Sequence, residues 1–227
     1  MFVPLHDDTP LKVIRFQWIT GALIVVNFAI FLYLHEATSA PYELASMLSY
    51  GIVPADLTGR APTWAPGIPE PLTYVTYQFI HGGWLHLVTN VLFLWVFADN
   101  IEDVFGHWAF LIFYLLCGIG AGIAHTAMMP NSDAPLIGAS GAVAGVLASY
   151  LLLFPRARVW ILLFMRLPLR IPAVYVLTGW LLLQLASLFV ATETEPSVGW
   201  WAHIGGFATG LVLTLMLRSR LLIGPAP

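Results

Sequence analysis

Charged side chains are scarce in this chain: nine Lys and Arg and twelve Asp and Glu among 227 residues, or 9%. An ordinary soluble domain carries roughly 25%, so these side chains cannot cover the surface of a water-soluble globule. The remaining solvent is lipid. With nine basic residues and a net charge of −3, the chain has no basic face for a phosphate backbone, and nucleic acid is excluded as a partner. Cysteine is nearly absent. The single Cys117 rules out intrachain disulfides and any Cys-x-x-Cys metal site. His-Glu-x-x-His is missing as well, and His81 and His86, five apart, would face different sides of a helix. No metal or other cofactor is therefore expected. The segment before the first apolar run carries Asp7 and Asp8 beside Lys12 and Arg15. It lacks the basic opening of a secretory signal and reads as a short cytoplasmic tail over residues 1–15.

What is abundant is apolar length: 59% of the residues are hydrophobic. Crossing a hydrocarbon core of about 30 Å takes about 20 mostly apolar residues. Six runs approach that requirement: Phe16 to Leu34, Trp84 to Ala98, His107 to Met128, Gly138 to Phe154, Pro172 to Val190 and Trp200 to Leu217. The second is short, unless the uncharged stretch Tyr74 to His81, broken from it by Gly82 and Gly83, also dips into the membrane. Basic residues set the direction. With the N-terminus in the cytoplasm, Lys12, Arg15, Arg156, Arg158, Arg166, Arg170, Arg218 and Arg220 all fall on the cytoplasmic side and Arg60 alone falls outside. The organisation expected is an all-α membrane domain over residues 16–217, with a long external loop over 36–77 and a cytoplasmic tail over 218–227. That loop is too long for a simple connector. Pro41 to Tyr50 suits a short helix on the membrane surface, and Ala61 to Pro71 is a Pro-rich crossing.

Polar side chains inside a membrane are costly and need a partner or a task. His86 lies 13 residues before Asp99, Ser140 lies 16 before Arg156, and His203 lies 15 before Arg218. At 1.5 Å per residue these distances are about 20, 24 and 22 Å, which puts three reactive groups in one layer about 6 to 10 Å below the outer edge. Close helix contact in lipid needs small residues. Ser140 sits in Gly138-Ala-Ser-Gly141-Ala-Val-Ala-Gly145, with Ala144 one turn on, and His203 shares a face with Gly206 and Gly210. His86 and Asn90, four apart, offer two donors from one helix face, a pair suited to an oxyanion. Ser140 also opens its span, where free backbone N–H groups and the helix dipole favour negative charge.

These residues carry a resemblance to the rhomboid intramembrane serine proteases. It rests on Gly138-Ala-Ser140-Gly141, His81-Gly-Gly-Trp-Leu-His86-Leu-Val-Thr-Asn90 and Ala202-His203-Ile-Gly-Gly206, supported by Tyr50-Gly-Ile-Val-Pro54 and Asn100-Ile-Glu102-Asp-Val-Phe-Gly106. The resemblance implies a bacterial-type bundle of six transmembrane helices in the plasma membrane. Ser140 would be the nucleophile and His203 the general base, with no third acidic member, and the oxyanion would be held by His86, Asn90 and the backbone N–H of Ser140. Substrates would be single-pass membrane proteins in the lipid bilayer, cut in or near their spans after small residues. Two positions depart from the family pattern: Ala144 stands where some members have an aromatic under the catalytic histidine, and no Trp-Arg pair occurs between Glu36 and Tyr77.

Other polar residues read as structural. His81 is expected to hold the loop before the second span, and Glu102, Asp103 and His107 to form a hydrogen-bond network at a cytoplasmic turn. His125 and Asp133 are placed in an outer loop, and Cys117 in the apolar core. Trp64, Trp200 and Trp201 fit an outer aromatic belt. From another class, a catalytically idle scaffold binding client helices competes with the enzyme, and the complete Ser, His and Asn set speaks against it. A proton-coupled transporter would need an acidic residue deep in a span, and none is found.

Overall fold

The computed structural model describes residues 2–59, 67–190 and 199–221. It is mostly helical, and the elements run β1 (Phe2–Asp7), α1 (Trp18–Glu36), α2 (Ala40–Tyr50), α3 (Pro54–Leu57), α4 (Thr73–Thr76), α5 (Trp84–Phe105), α6 (His107–Met128), α7 (Ser140–Leu153), β2 (Arg158–Leu163), β3 (Leu167–Pro172), α8 (Ala173–Val190) and α9 (Trp200–Leu221). Among the described residues, four helices are long and apolar enough to cross a membrane: α1, α5, α6 and the Trp200–Leu217 part of α9. Ser140–Leu153 and Ala173–Phe189 are shorter apolar helices. At 14 residues, α7 measures about 21 Å.

α7 is the centre of the bundle. Every residue from Gly141 to Tyr150 is buried, as expected of a helix that is apolar on all sides. Its contact with α9 is made backbone to backbone. A Cβ at Gly206 would lie 1.9 Å from the carbonyl oxygen of Gly141, and one at Gly210 would lie 2.3 Å from that of Gly145. The small face expected on α9 is thus used, but its counterpart on α7 is Gly141 and Gly145. Ala144 points elsewhere, into a cluster with Ala148 and Phe207.

Two features depart from the sequence reading. The acidic group at Asp99, Glu102 and Asp103 lies inside α5, which runs seven residues past Ala98 to Phe105. The helix tolerates these carboxylates because they are spent on backbone. Glu102, fully buried, accepts from the N–H groups of Ile19 and Thr20 at 3.0 and 2.8 Å, from Thr20 Oγ1 and from His107. It thereby satisfies orphan donors in the first turn of α1. Asp103 accepts from the N–H groups of Lys12, Val13 and Ile14 at 2.7 to 2.9 Å.

The second departure is a three-stranded antiparallel sheet in the order β1-β2-β3. The segment expected as a tail pairs through Phe2–Asp7 with the connection between α7 and α8. Val159 and Ile161 alternate inward onto the main core while Arg158 and Trp160 face outward. Asp7 is buried there and accepts from Tyr150 Oη.

Between α1 and α5, the expected surface helix forms as α2, with Tyr42 and Leu44 exposed. The Pro-rich crossing falls partly, and Arg60 and Trp64 wholly, within residues 60–66, outside the described residues.

Candidate active site

Ser140 is the first residue of α7, so its hydroxyl stands where the helix N–H groups lack carbonyl partners. The segment leading into it is pinned on both sides. Ile52 and Leu136 exchange backbone hydrogen bonds at 3.0 and 2.7 Å, and Gly138 N–H donates to Tyr77 O at 2.8 Å. Ala139 N–H donates to His81 Nε2 at 3.4 Å, so His81 positions the turn before the serine, and its ring packs edge-on against His86 at 5.0 Å. Gly138 has φ +113°, and a Cβ there would lie 2.5 Å from His86 Nε2. The residue must be glycine both for its backbone and for the approach of that imidazole.

His203, in the first turn of α9, reaches across the Gly141/Gly206 contact. Its Nε2 lies 2.8 Å from Ser140 Oγ, within reach for proton transfer. The two side chains share a cavity of about 630 Å³ with His86, Asn90, His125 and Trp180 among its lining residues. Asn90 is not free to turn at will, because its Nδ2 donates to His86 O at 2.8 Å. An amide nitrogen carries two protons, so one remains for the cavity. Ser140, His203, His86 and Asn90, singled out one by one along the sequence, are brought to a single cavity at one end of α7.

A base beside a serine, two further donors and a helix N-terminus form an arrangement able to bind a carbonyl, attack it and hold its oxyanion. A family model described as "Rhomboid domain" matches residues 69–220, which include all four of these residues and most of the bundle. The chain belongs to the rhomboid family. Among its relatives, the RHOMBOID-like protein 4 of Arabidopsis thaliana is 25% identical over 224 residues, covering 90% of this chain and 54% of that protein. The Rhomboid protease GluP of Bacillus subtilis is 28% identical over 136 residues, covering 60% of this chain and 24% of that protein. The Rhomboid-type serine protease 2 of Emericella nidulans is 25% identical over 188 residues, covering 80% and 34% respectively. This rhomboid chain thus spans about half or less of the length of these curated relatives.

In this rhomboid domain several residues sit where the sequence alone did not put them. The expected third span, His107 to Met128, forms as α6 with those bounds, so His125 lies within it, buried and lining the cavity, and not in an outer loop. Asp133 is in the exposed connection that follows. The aromatic support for His203 comes from outside α7: Trp180 of α8 and Trp200 of α9 each place a ring centroid 5.9 Å from its imidazole. Trp200, expected in an interfacial belt, therefore frames the His203 ring. Gln184 of α8 was missed. Its Oε1 lies 2.7 Å from His203 Nδ1. A signal existed, since Gln184 is the one amide side chain in an apolar helix and stands four residues after Trp180, on the same face.

Proposed function

We propose that this rhomboid protein is an intramembrane serine endopeptidase that hydrolyses peptide bonds in or near the transmembrane segments of single-pass membrane proteins. The observation that carries this reading is the 2.8 Å separation of Ser140 Oγ and His203 Nε2. In acylation the Ser140 hydroxyl proton passes to His203 Nε2 while Oγ bonds to the substrate carbonyl carbon. Collapse of the tetrahedral species breaks the C–N bond, and the proton goes to the leaving amine. Water then attacks the ester carbon and gives a proton to Nε2; the C–Oγ bond breaks as that proton passes to Oγ, which restores Ser140 and neutral His203 and releases a new carboxyl terminus. The oxyanion is held by the Ser140 N–H, His86 and the second Asn90 amide proton.

Six helices, α1 and α5 to α9, span the membrane in this reading, α7 and α8 being the shorter ones. Both termini are cytoplasmic in it and the Ser140 end of α7 opens toward the external face, which the distribution of basic residues supports. The competing scaffold would bind client helices without acylation. A serine-directed fluorophosphonate probe separates the two. Labelling of wild-type protein that is lost in Ser140→Ala is the expected result, and an unlabelled wild type that still binds client helices would favour the scaffold.

A further inference from the structure

Gln184 is 8% exposed in a helix whose neighbouring positions Leu182, Leu183 and Leu185 are exposed on the apolar outer face. A primary amide in that setting is costly unless its polar atoms are used. Its oxygen is used by one group, His203 Nδ1, at 2.7 Å. An amide oxygen accepts and cannot donate, so Nδ1 carries the ring proton. The neutral imidazole then has its lone pair on Nε2, the nitrogen 2.8 Å from Ser140 Oγ, and the serine hydroxyl is the donor in that bond. This is the tautomer that acylation requires.

We propose that Gln184 is a positioning residue that selects the productive tautomer of His203 and holds its ring against Ser140, giving a neutral Ser-His-Gln relay. The inference rests on the protease reading for its catalytic meaning, but the tautomer is a property of the resting protein. Trp180, on the same face of α8 as Gln184, and Trp200 keep the imidazole from rotating about the pair of hydrogen bonds. Among the described residues no carboxylate takes part. The titratable groups facing His203 among those residues are His86 of α5 and His125 of α6, and what α8 and α7 contribute is Gln184, Trp180 and the Ser140 hydroxyl. With a neutral acceptor, the imidazolium formed during attack keeps its Nδ1–H bond, and no buried carboxylate has to be accommodated in an apolar span.

Two readouts test this. The first is the 15N spectrum of ring-labelled protein in micelles, with His203 assigned by difference against His203→Gln. In wild type the neutral ring should be protonated at Nδ1, and in Gln184→Leu it should redistribute toward the Nε2–H form. The second is kinetics on a model substrate. Gln184→Leu should lower kcat about 10- to 100-fold with KM changed by less than about threefold. Gln184→Glu restores an acceptor and should recover most of that loss. Its carboxylate favours the imidazolium, so the acidic limb of its pH–rate profile should move up by about one pH unit or more. A wild-type ring protonated at Nε2 would overturn the proposal, as would equal losses in the Leu and Glu variants with an unmoved acidic limb. A wild type no more active than Ser140→Ala would sink the protease reading instead, and the 15N spectrum would still decide the role of Gln184.

Discussion

At the scale of single residues, the site depends on what is missing at position 138. A methyl group there would sit 2.5 Å from His86 Nε2, on a backbone at φ +113° that side chains rarely adopt. Gly138→Ala should therefore displace His86 and lower kcat by about 10²-fold or more, the usual effect of losing a fixed oxyanion donor. Protein folded to the wild-type extent with unchanged kcat would remove His86 from the oxyanion hole. Asn90 is held by its bond to His86 O at 2.8 Å, so Asn90→Ala should also lower kcat, far more than it raises KM. A pure KM effect would reassign Asn90 to substrate contact. Ser140, His203, His86 and Asn90 were legible in the sequence because polar groups at matched depth in apolar runs demand a reason. Gln184 left the same kind of signal, a lone amide in an apolar run, but its partner and the cavity-facing place of His125 were not legible, since they depend on which helix faces which and a hydrophobic run does not reveal its own rotation.

At the scale of elements, two contacts set the geometry. One is the glycine seam between α7 and α9. A Cβ at Gly206 would meet the Gly141 carbonyl at 1.9 Å, so Gly206→Ala must push the two helices apart and carry His203 away from Ser140. A displacement of about 1 Å can cost about 10²-fold in rate. Fluorophosphonate labelling of Ser140 should fall by a comparable factor, and wild-type labelling would mean that the seam does not set the dyad distance. The other contact is Glu102, which binds the opening of α1 and His107 from inside α5. Glu102→Ala leaves several buried donors without an acceptor and should destabilise the fold by about 3 kcal/mol, read as a lower unfolding midpoint. Unlike Gly206→Ala, it should spare kcat where the protein stays folded. The small-residue face of α9 could be read from its 3.6-residue spacing. Its counterpart on α7 could not, because Gly141, Ala142, Ala144, Gly145 and Ala148 put small residues on every side of that helix.

At the scale of the whole molecule, the sheet closes the end of the bundle opposite Ser140. Its strands were hidden in the sequence: Arg158, Arg166 and Arg170 drew attention as markers of sidedness, and residues 2–7 find their pairing partner more than 150 positions away. Asp7 is buried in that contact. Burial raises its pKa above the usual carboxylate value, and hydrogen bonds from Tyr150 and Thr9 offset part of the rise. The folded state thus prefers the protonated acid. The stability this group contributes is complete below its unfolded value of about 3.9 and declines as pH rises through the higher folded value. Asp7→Asn, which cannot ionise, should make the unfolding midpoint less sensitive to pH across that window. Parallel pH curves for the two proteins would contradict the assignment. The central claim is that the layer of polar groups at the other end breaks peptide bonds. The most direct measurement reconstitutes purified wild type, Ser140→Ala and His203→Ala in liposomes with a single-pass substrate carrying a small residue and a downstream Gly or Pro in the outer part of its span. Cleavage by wild type alone, at a site mapped by mass spectrometry to that outer part, is the predicted result. Cleavage by Ser140→Ala at a rate approaching wild type would contradict it.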